Sequence, residues 1–248
     1  MEWENELEEA LEKSIRDVPD RVGVLFSGGL DSSFLAYLLK REGKGVRLYC
    51  SGTIGSHDHE WTPKAAEILG LPLEFLSIKE EEIIEGIRNI KRLTGETSSL
   101  LLLIELPLYF IAKESTDSVL VTGQGADELF LGYKKYETKD TSREDFQRVM
   151  SHIVPLERKI AGSYGKELVY PYLHEKVVEA SSKIPRHQNI TDGTRKYSLR
   201  SIASKLGLER EMAWRQKRAS QYSSGFKKAS EKIAKRDHKT VHEFISEL

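Results

Sequence analysis

Between residues 21 and 140 short β-prone runs alternate with helical patterns, and that alternation constrains this chain more than any other feature. The runs are VGVLFS (22–27), GVRLYCSG (45–52), LEFLSI (73–78) and SVLVTG (118–123). They are close to continuously apolar, as strands buried on both faces are. Between them, DSSFLAYLLKREG (31–43) sets Phe34, Leu35, Leu38 and Leu39 on one face and stops at Gly43. TPKAAEILGL and EEEIIEGIRNIKRL read as further crossover helices. The expectation is an α/β fold: an open, mainly parallel twisted sheet with helices on both faces. A helix over residues 1–20 precedes this core of 21–140. After about Asp140 the strand-like runs stop, so 141–248 is expected to be a helical part packed on the core, with DGTRKYSLRSIASKLG among its helical stretches.

Several function classes drop out early. The longest apolar run, LLLLIELPLYFIA (100–112), is broken by Glu105 and Pro107 and is shorter than the roughly 20 residues a bilayer span needs. It reads as a buried helix, with no membrane partner. Cys50 is the single cysteine, which excludes an intrachain disulfide and a cysteine-rich metal site and suggests a reducing compartment. The acidic start MEWENELEEALEK is no secretory leader, so a cytoplasmic location is expected. Residues 1–20 carry eight acids against two bases, and residues 186–239 fifteen bases against five acids. That basic region is either a solvated helical surface or a platform for a polyanion such as triphosphate or RNA.

Chemistry concentrates where two strand-like runs end. In VLFSGGLDSSFLAYLL the turn leaves a strand and enters a helix, so main-chain N–H groups and the helix dipole converge on one point, the natural place for a phosphate. Gly28 and Gly29 permit close approach, and Ser27, Ser32 and Ser33 can add hydroxyls. Asp31 beside an anion calls for an intervening cation and is a candidate Mg²⁺ ligand; read by itself, the same stretch is also a glycine-rich turn with Asp31 as an N-cap. VLVTGQGADELFLGY (119–133) repeats the arrangement, with acids at Asp127 and Glu128. In open parallel sheets ligands bind at the C-terminal strand edge where strand order reverses, so Asp31 and Asp127 are expected to face one another across one metal–triphosphate site.

SGGLDSS resembles the pyrophosphate-binding loop of the PP-loop, or N-type ATP pyrophosphatase, superfamily. GQGADELFLGY is similar to the second signature of the asparagine synthetase synthetase domain. The likeness runs on through LERKIAGSYGKELVYPYL, TRKYSLR and AWRQKRASQYSSG. The resemblance implies a carboxylate activated by ATP as an acyl-adenylate, with pyrophosphate leaving, then attack by ammonia or an amine. On it, Ser27, Gly28, Gly29 and Ser32 hold pyrophosphate, Asp31 and Asp127 hold Mg²⁺, and Leu25, Ser51, Thr122 and Gly123 line the adenosine pocket. Lys217, in WRQK, would stabilise charge on the α-phosphate or the tetrahedral intermediate. Arg200 reads either as a phosphate-orienting group or as an exposed helix arginine. Thr97 and Ser98 read either as substrate-carboxylate contacts or as helix caps.

Three positions depart from the family pattern. Family members with a glutaminase domain begin it with a cysteine after the initiator methionine, whereas this chain reads Met1-Glu2; the expected nitrogen source is free ammonia, an amine, or a separate glutaminase subunit. Gln124 stands where asparagine synthetases carry a glutamate, and a neutral amide cannot act as a general base, which makes Glu128 a candidate for that task. His174 follows YPYL where an aspartate is common and is expected to be packed or solvent-facing. The rival readings are a PP-loop enzyme that modifies tRNA, disfavoured by the lone cysteine and the GADELF signature, and a non-catalytic nucleotide-binding subunit of a larger amidotransferase. A homo-oligomer is compatible with either.

Overall fold

The computed structural model describes residues 2–215 and 223–248. Strands β1 (Arg21–Leu25), β2 (Gly45–Gly52), β3 (Leu73–Ser77), β4 (Val119–Val121) and β5 (Glu167–Val169) form one sheet in the order β3-β2-β1-β4-β5. Every pairing in it is parallel, with Val24 opposite Leu48 on one side and Val121 on the other. The expected architecture is therefore the observed one. Sheet residues alternate between two apolar layers: Val22, Val24, Leu48 and Val121 face one, Tyr49, Leu120 and Leu168 the other.

Helices α1 (Glu2–Arg16), α2 (Leu30–Arg41) and α3 (His57–Leu69) build the first layer. Helices α4 (Glu80–Thr94) and α5 (Ser99–Glu114) build the second. A Cβ on Gly23 would come within 2.7 Å of both Leu120 and Tyr49, so only glycine lets β1 sit between its neighbours. The apolar run 100–112 is the buried body of α5, capped by the Ser98 hydroxyl, which accepts from the Leu101 amide. Ser98 is thus a helix cap. Among the described residues no single helix is long and apolar enough to cross a membrane.

The chain beyond residue 140 departs from expectation in two ways. It does not stop making strands: β5 completes the sheet beside β4. Its three residues, between Gly165 and Pro171, are too few to show a period in sequence. Short helices α6 (Ala126–Leu129), α7 (Ser142–Arg148), α8 (Val154–Gly162), α9 (Glu175–Ser182) and α10 (Arg186–Asn189) lead to a small antiparallel hairpin, β6 (Ile190–Thr191) and β7 (Thr194–Arg195). Asp192 and Gly193 both take positive φ, 49° and 72°, the type I′ geometry that suits a two-residue hairpin. The stretch from Asp192 was expected to be helical; its Asp-Gly pair makes it a turn, and α11 (Tyr197–Lys205) begins only after it. Next come α12 (Arg210–Ala213) and helices Phe226–Arg236 and Val241–Glu247.

Candidate functional site

Strand order reverses at β1, with β2 and β3 on one side and β4 and β5 on the other. The crevice this creates lies beyond the C-terminal ends of β1 and β4, where both glycine turns stand. In the first turn the Phe26 amide still donates to the Tyr49 carbonyl at 2.7 Å. Gly28 then enters the left-handed region at φ 64°, and α2 starts at Leu30. A Cβ on Gly28 would come within 2.5 Å of Trp61 Nε1, an atom that donates to the Gly28 carbonyl at 2.8 Å. The Ser32 hydroxyl accepts from the Ser27 amide at 3.3 Å, which curls the turn about the N-terminus of α2. Gly29, not Asp31, is the N-cap. Asp31 is thereby released from capping.

In the second turn Gly125 caps α6 with φ 92°, and Asp127 sits in the first turn of that helix. The two turns touch, since a Cβ on Gly123 would meet Asp31 Cβ at 3.2 Å. Asp31 and Asp127 meet at a third residue that sequence reasoning did not single out. The Lys196 ammonium donates to both Asp31 oxygens, at 2.7 and 2.6 Å, and lies 2.8 Å from Asp127 Oδ1. Only 3% of this lysine is exposed. Burial pulls its ammonium below the ordinary value while Asp31 resists. Gly132 makes the seat: a Cβ there would lie 2.0 Å from Asp127 Oδ1 and 2.2 Å from Lys196 Cε.

A cavity adjoins this triad, lined by Ser27, Gly29, Asp31, Lys196, Arg200 and Arg215 among others. Arg200 is not an exposed helix arginine. It is buried, held by the carbonyls of Arg195 at 2.9 Å and Ala213 at 2.6 Å. Arg215 stacks over Trp61 with its guanidinium carbon 3.4 Å from the ring centroid, and its Nη2 lies 2.9 Å from His57 Nε2. Asp58, buried behind them, accepts from the Ser223 hydroxyl at 2.9 Å. Burial pushes its carboxyl up to about 6, against Ser223 and Arg215, which hold it down. Three cations and a helix N-terminus thus share one hollow with the carboxyls of Asp31 and Asp58, a mixed wall that suits an anion bound together with a cation.

The adenosine-pocket candidates Leu25, Ser51, Thr122 and Gly123 stand along the same sheet edge, at or just past the ends of β1, β2 and β4, but outside the wall of this cavity. The Ser51 hydroxyl is engaged by the Pro107 carbonyl at 3.3 Å, and the Thr122 hydroxyl accepts from the Gln124 amide at 3.3 Å. Gln124 is half-buried between two glycines. Glu128 is buried and hydrogen-bonded to the Tyr133 hydroxyl; burial raises its carboxyl above the usual range, with Lys196 opposing. Behind it lie two buried carboxyls, Glu157, pushed up to about 8 by burial, and Glu105, also raised, by burial and by Glu157 and Glu96. His174 caps α9, its Nδ1 accepting from the Lys176 amide, and is half-buried. Lys217 lies outside the described residues, although Arg215 and Ser223, which flank it in sequence, both line the cavity. The signal for Lys196 was its place in TRKYSLR, the stretch that also carries Arg200; nothing local marks this lysine as a site residue.

The sequence model of the asparagine synthase family matches residues 2–163 and 145–245. A protein of Methanocaldococcus jannaschii named "putative asparagine synthetase 1", glutamine-hydrolysing, is 30% identical over 290 aligned residues, covering 98% of this chain and 53% of that protein. Asparagine synthetase B of Escherichia coli, also glutamine-hydrolysing, is 24% identical, covering 89% and 45%. The chain spans about half the length of the curated relatives it matches. Among solved structures, the NMN synthetase of Francisella tularensis superimposes with a TM-score of 0.48 at 11% identity, covering 99% of this chain and 92% of that one. With two acid-bearing glycine turns on one crevice and a family match along nearly its whole length, this chain belongs to the asparagine synthase family.

Proposed function

We propose that this chain is the synthetase part of an ATP-dependent, AMP-forming ligase that joins a small carboxylate to ammonia or an amine. The observation that carries the reading is the convergence of Asp31 and Asp127 on one cation, beside a turn built to receive phosphate. In the first step a substrate carboxylate oxygen attacks the α-phosphorus, an acyl-adenylate forms and pyrophosphate leaves. In the second, the amine nitrogen attacks the acyl carbon, loses a proton and displaces AMP.

Each residue has a task in that scheme. The Ser27, Gly28, Gly29 and Ser32 turn binds the leaving pyrophosphate, with Lys196, Arg200 and Arg215 supplying positive charge. Leu25, Ser51, Thr122 and Gly123 receive the adenosine along the sheet edge. The donor set fits Mg²⁺, because two carboxylates plus phosphate oxygens are what that ion commonly takes. When bound, Mg²⁺ offsets the charge that builds on the pyrophosphate. Lys217, tethered two residues after Arg215, stabilises charge at the reacting centre. Glu128, whose carboxyl is kept basic by burial, accepts the amine proton in place of the neutral Gln124, which positions the amine.

The residues beyond 140 complete the site, since Lys196, Arg200 and Arg215 come from them. Ammonia or an amine supplies the nitrogen. Incubating the protein with ATP, Mg²⁺, ammonium and a panel of amino acids and other small carboxylic acids tests the scheme. Pyrophosphate and AMP released in equal amounts, dependent on one acid, support it. Release of phosphate and ADP alone removes it.

A further inference from the structure

The ammonium of Lys196 occupies the place between Asp31 and Asp127 that a divalent ion would take. It lies within hydrogen-bond distance of three of the four carboxylate oxygens: both oxygens of Asp31 and Oδ1 of Asp127. We propose that Lys196 is a built-in counter-ion that holds the acid pair in the metal-free protein, that Mg²⁺ displaces it, and that the released ammonium turns to the phosphate cavity. The inference rests on reading this crevice as a magnesium–nucleotide site and adds what the chain does before that ligand arrives.

Three features beyond the contact itself support it. The first is the seat: Gly132 has no side chain where any Cβ would strike both Asp127 and the Lys196 stem, so the backbone makes room for this one ammonium. The second is the backbone of Lys196, which holds φ 54° and ψ 31° at the N-cap of α11. Lysine seldom adopts the left-handed region, and such strain persists where surrounding structure over-determines it. Here the hairpin before it and Arg200 after it, bonded to the Arg195 and Ala213 carbonyls, pin the chain on both sides.

The third is room to move. Lys196 forms part of the wall between the phosphate cavity and a second hollow lined by Gly132, Gly193, Thr194 and Trp214. Its Cα is fixed, but a flexible four-carbon stem can swing the charge to either side. A single ammonium compensates one of two charges; a divalent ion compensates both. Removing the lysine in turn leaves two half-buried carboxylates facing each other, which is unfavourable until another cation arrives.

The test is Lys196→Met, studied without nucleotide. Thermal unfolding in EDTA is expected to show the midpoint several degrees below the natural protein, on the order of 5 °C, and millimolar Mg²⁺ is expected to restore most of that loss. The natural protein should shift by about 1 °C or less with Mg²⁺ alone. Calorimetric titration of Mg²⁺ alone should show roughly tenfold or more tighter binding to the variant, because no internal cation competes. A midpoint that Mg²⁺ does not restore, together with affinity no tighter than that of the natural protein, overturns the proposal.

Should the variant fail to fold, the natural protein labelled with ¹³C at lysine Cε gives the same answer, with the Lys196 signal assigned by Lys196→Arg. That signal is expected to move when Mg²⁺ and a non-hydrolysable ATP analogue are added together. A signal that stays in place while the analogue binds overturns the proposal. Neither readout depends on AMP formation, so failure here and failure of the ligase scheme are told apart.

Discussion

Trp61 donates its indole N–H to the Gly28 carbonyl at 2.8 Å, and through that bond α3 holds the phosphate turn in shape. The opposite use of the same ring is to carry Arg215, whose guanidinium lies over it. One side chain therefore sets both the turn and a cation that faces it.

Replacing Trp61 by Phe keeps an aromatic face but deletes the donor to Gly28. About one hydrogen bond and part of a cation–π contact are lost, on the order of 1–2 kcal/mol. Binding of a non-hydrolysable ATP analogue is expected to weaken roughly tenfold, and the unfolding midpoint to fall by a few degrees. Calorimetric titration of the analogue checks it, and unchanged affinity would detach Trp61 from the site.

Gly132→Ala places a methyl group against Asp127 Oδ1 and the Lys196 stem. Either the lysine or the helix that carries Asp127 must shift. Pyrophosphate release is expected to fall about a hundredfold, and unfolding free energy by about 1–3 kcal/mol, the usual range for overpacking. Denaturant unfolding and a pyrophosphate assay on one preparation separate the two effects.

Lys217→Ala is expected to leave analogue binding within about twofold of the natural protein and to cut turnover by roughly a hundredfold or more, as loss of one transition-state donor does. Lys217→Arg should recover only part of it, because a planar fork does not replace a compact point charge. Single-turnover kinetics with the productive acid decide the matter: unchanged turnover removes Lys217 from the mechanism.

Glu157 makes the protein's stability depend on pH. Its carboxyl titrates near 8 in the folded chain, against an ordinary value of 4.5, because burial disfavours the charged form and Glu128 repels it, with Tyr170 opposing. The folded state then holds a proton that the unfolded state has released. Stability is therefore highest below about 4.5 as far as this group is concerned, declines as pH rises toward about 8, and levels off above it. The slope per proton is about 1.4 kcal/mol per pH unit. Glu157→Gln should flatten the profile between those limits, leaving the contribution of Glu105, whose carboxyl is raised by burial and by the Glu157 and Glu96 charges, the first of which the substitution removes. Urea midpoints measured from pH 5 to 9 check it, and parallel profiles for the two proteins would contradict it.

The alternation of apolar runs with helical patterns was enough to specify a parallel sheet, and two glycine turns ending in acids were enough to locate the crevice. Both are local signals: strand, turn and helix start are written in residues close together in sequence, and the α/β topology itself sends those turns to one edge. Pairing of Asp31 with Asp127 follows from that topology.

What only the tertiary structure decided is which cations meet the acids. Lys196 comes from a segment whose Asp-Gly hairpin was hidden inside a helical reading, and Arg200, which reads in sequence either as a phosphate-orienting group or as a surface arginine, is buried on its carbonyl partners. Likewise β5, three residues long, becomes a strand only because β4 offers an open edge. Charge partners and edge strands are fixed by packing between segments far apart in the chain, and no periodicity within a segment records them.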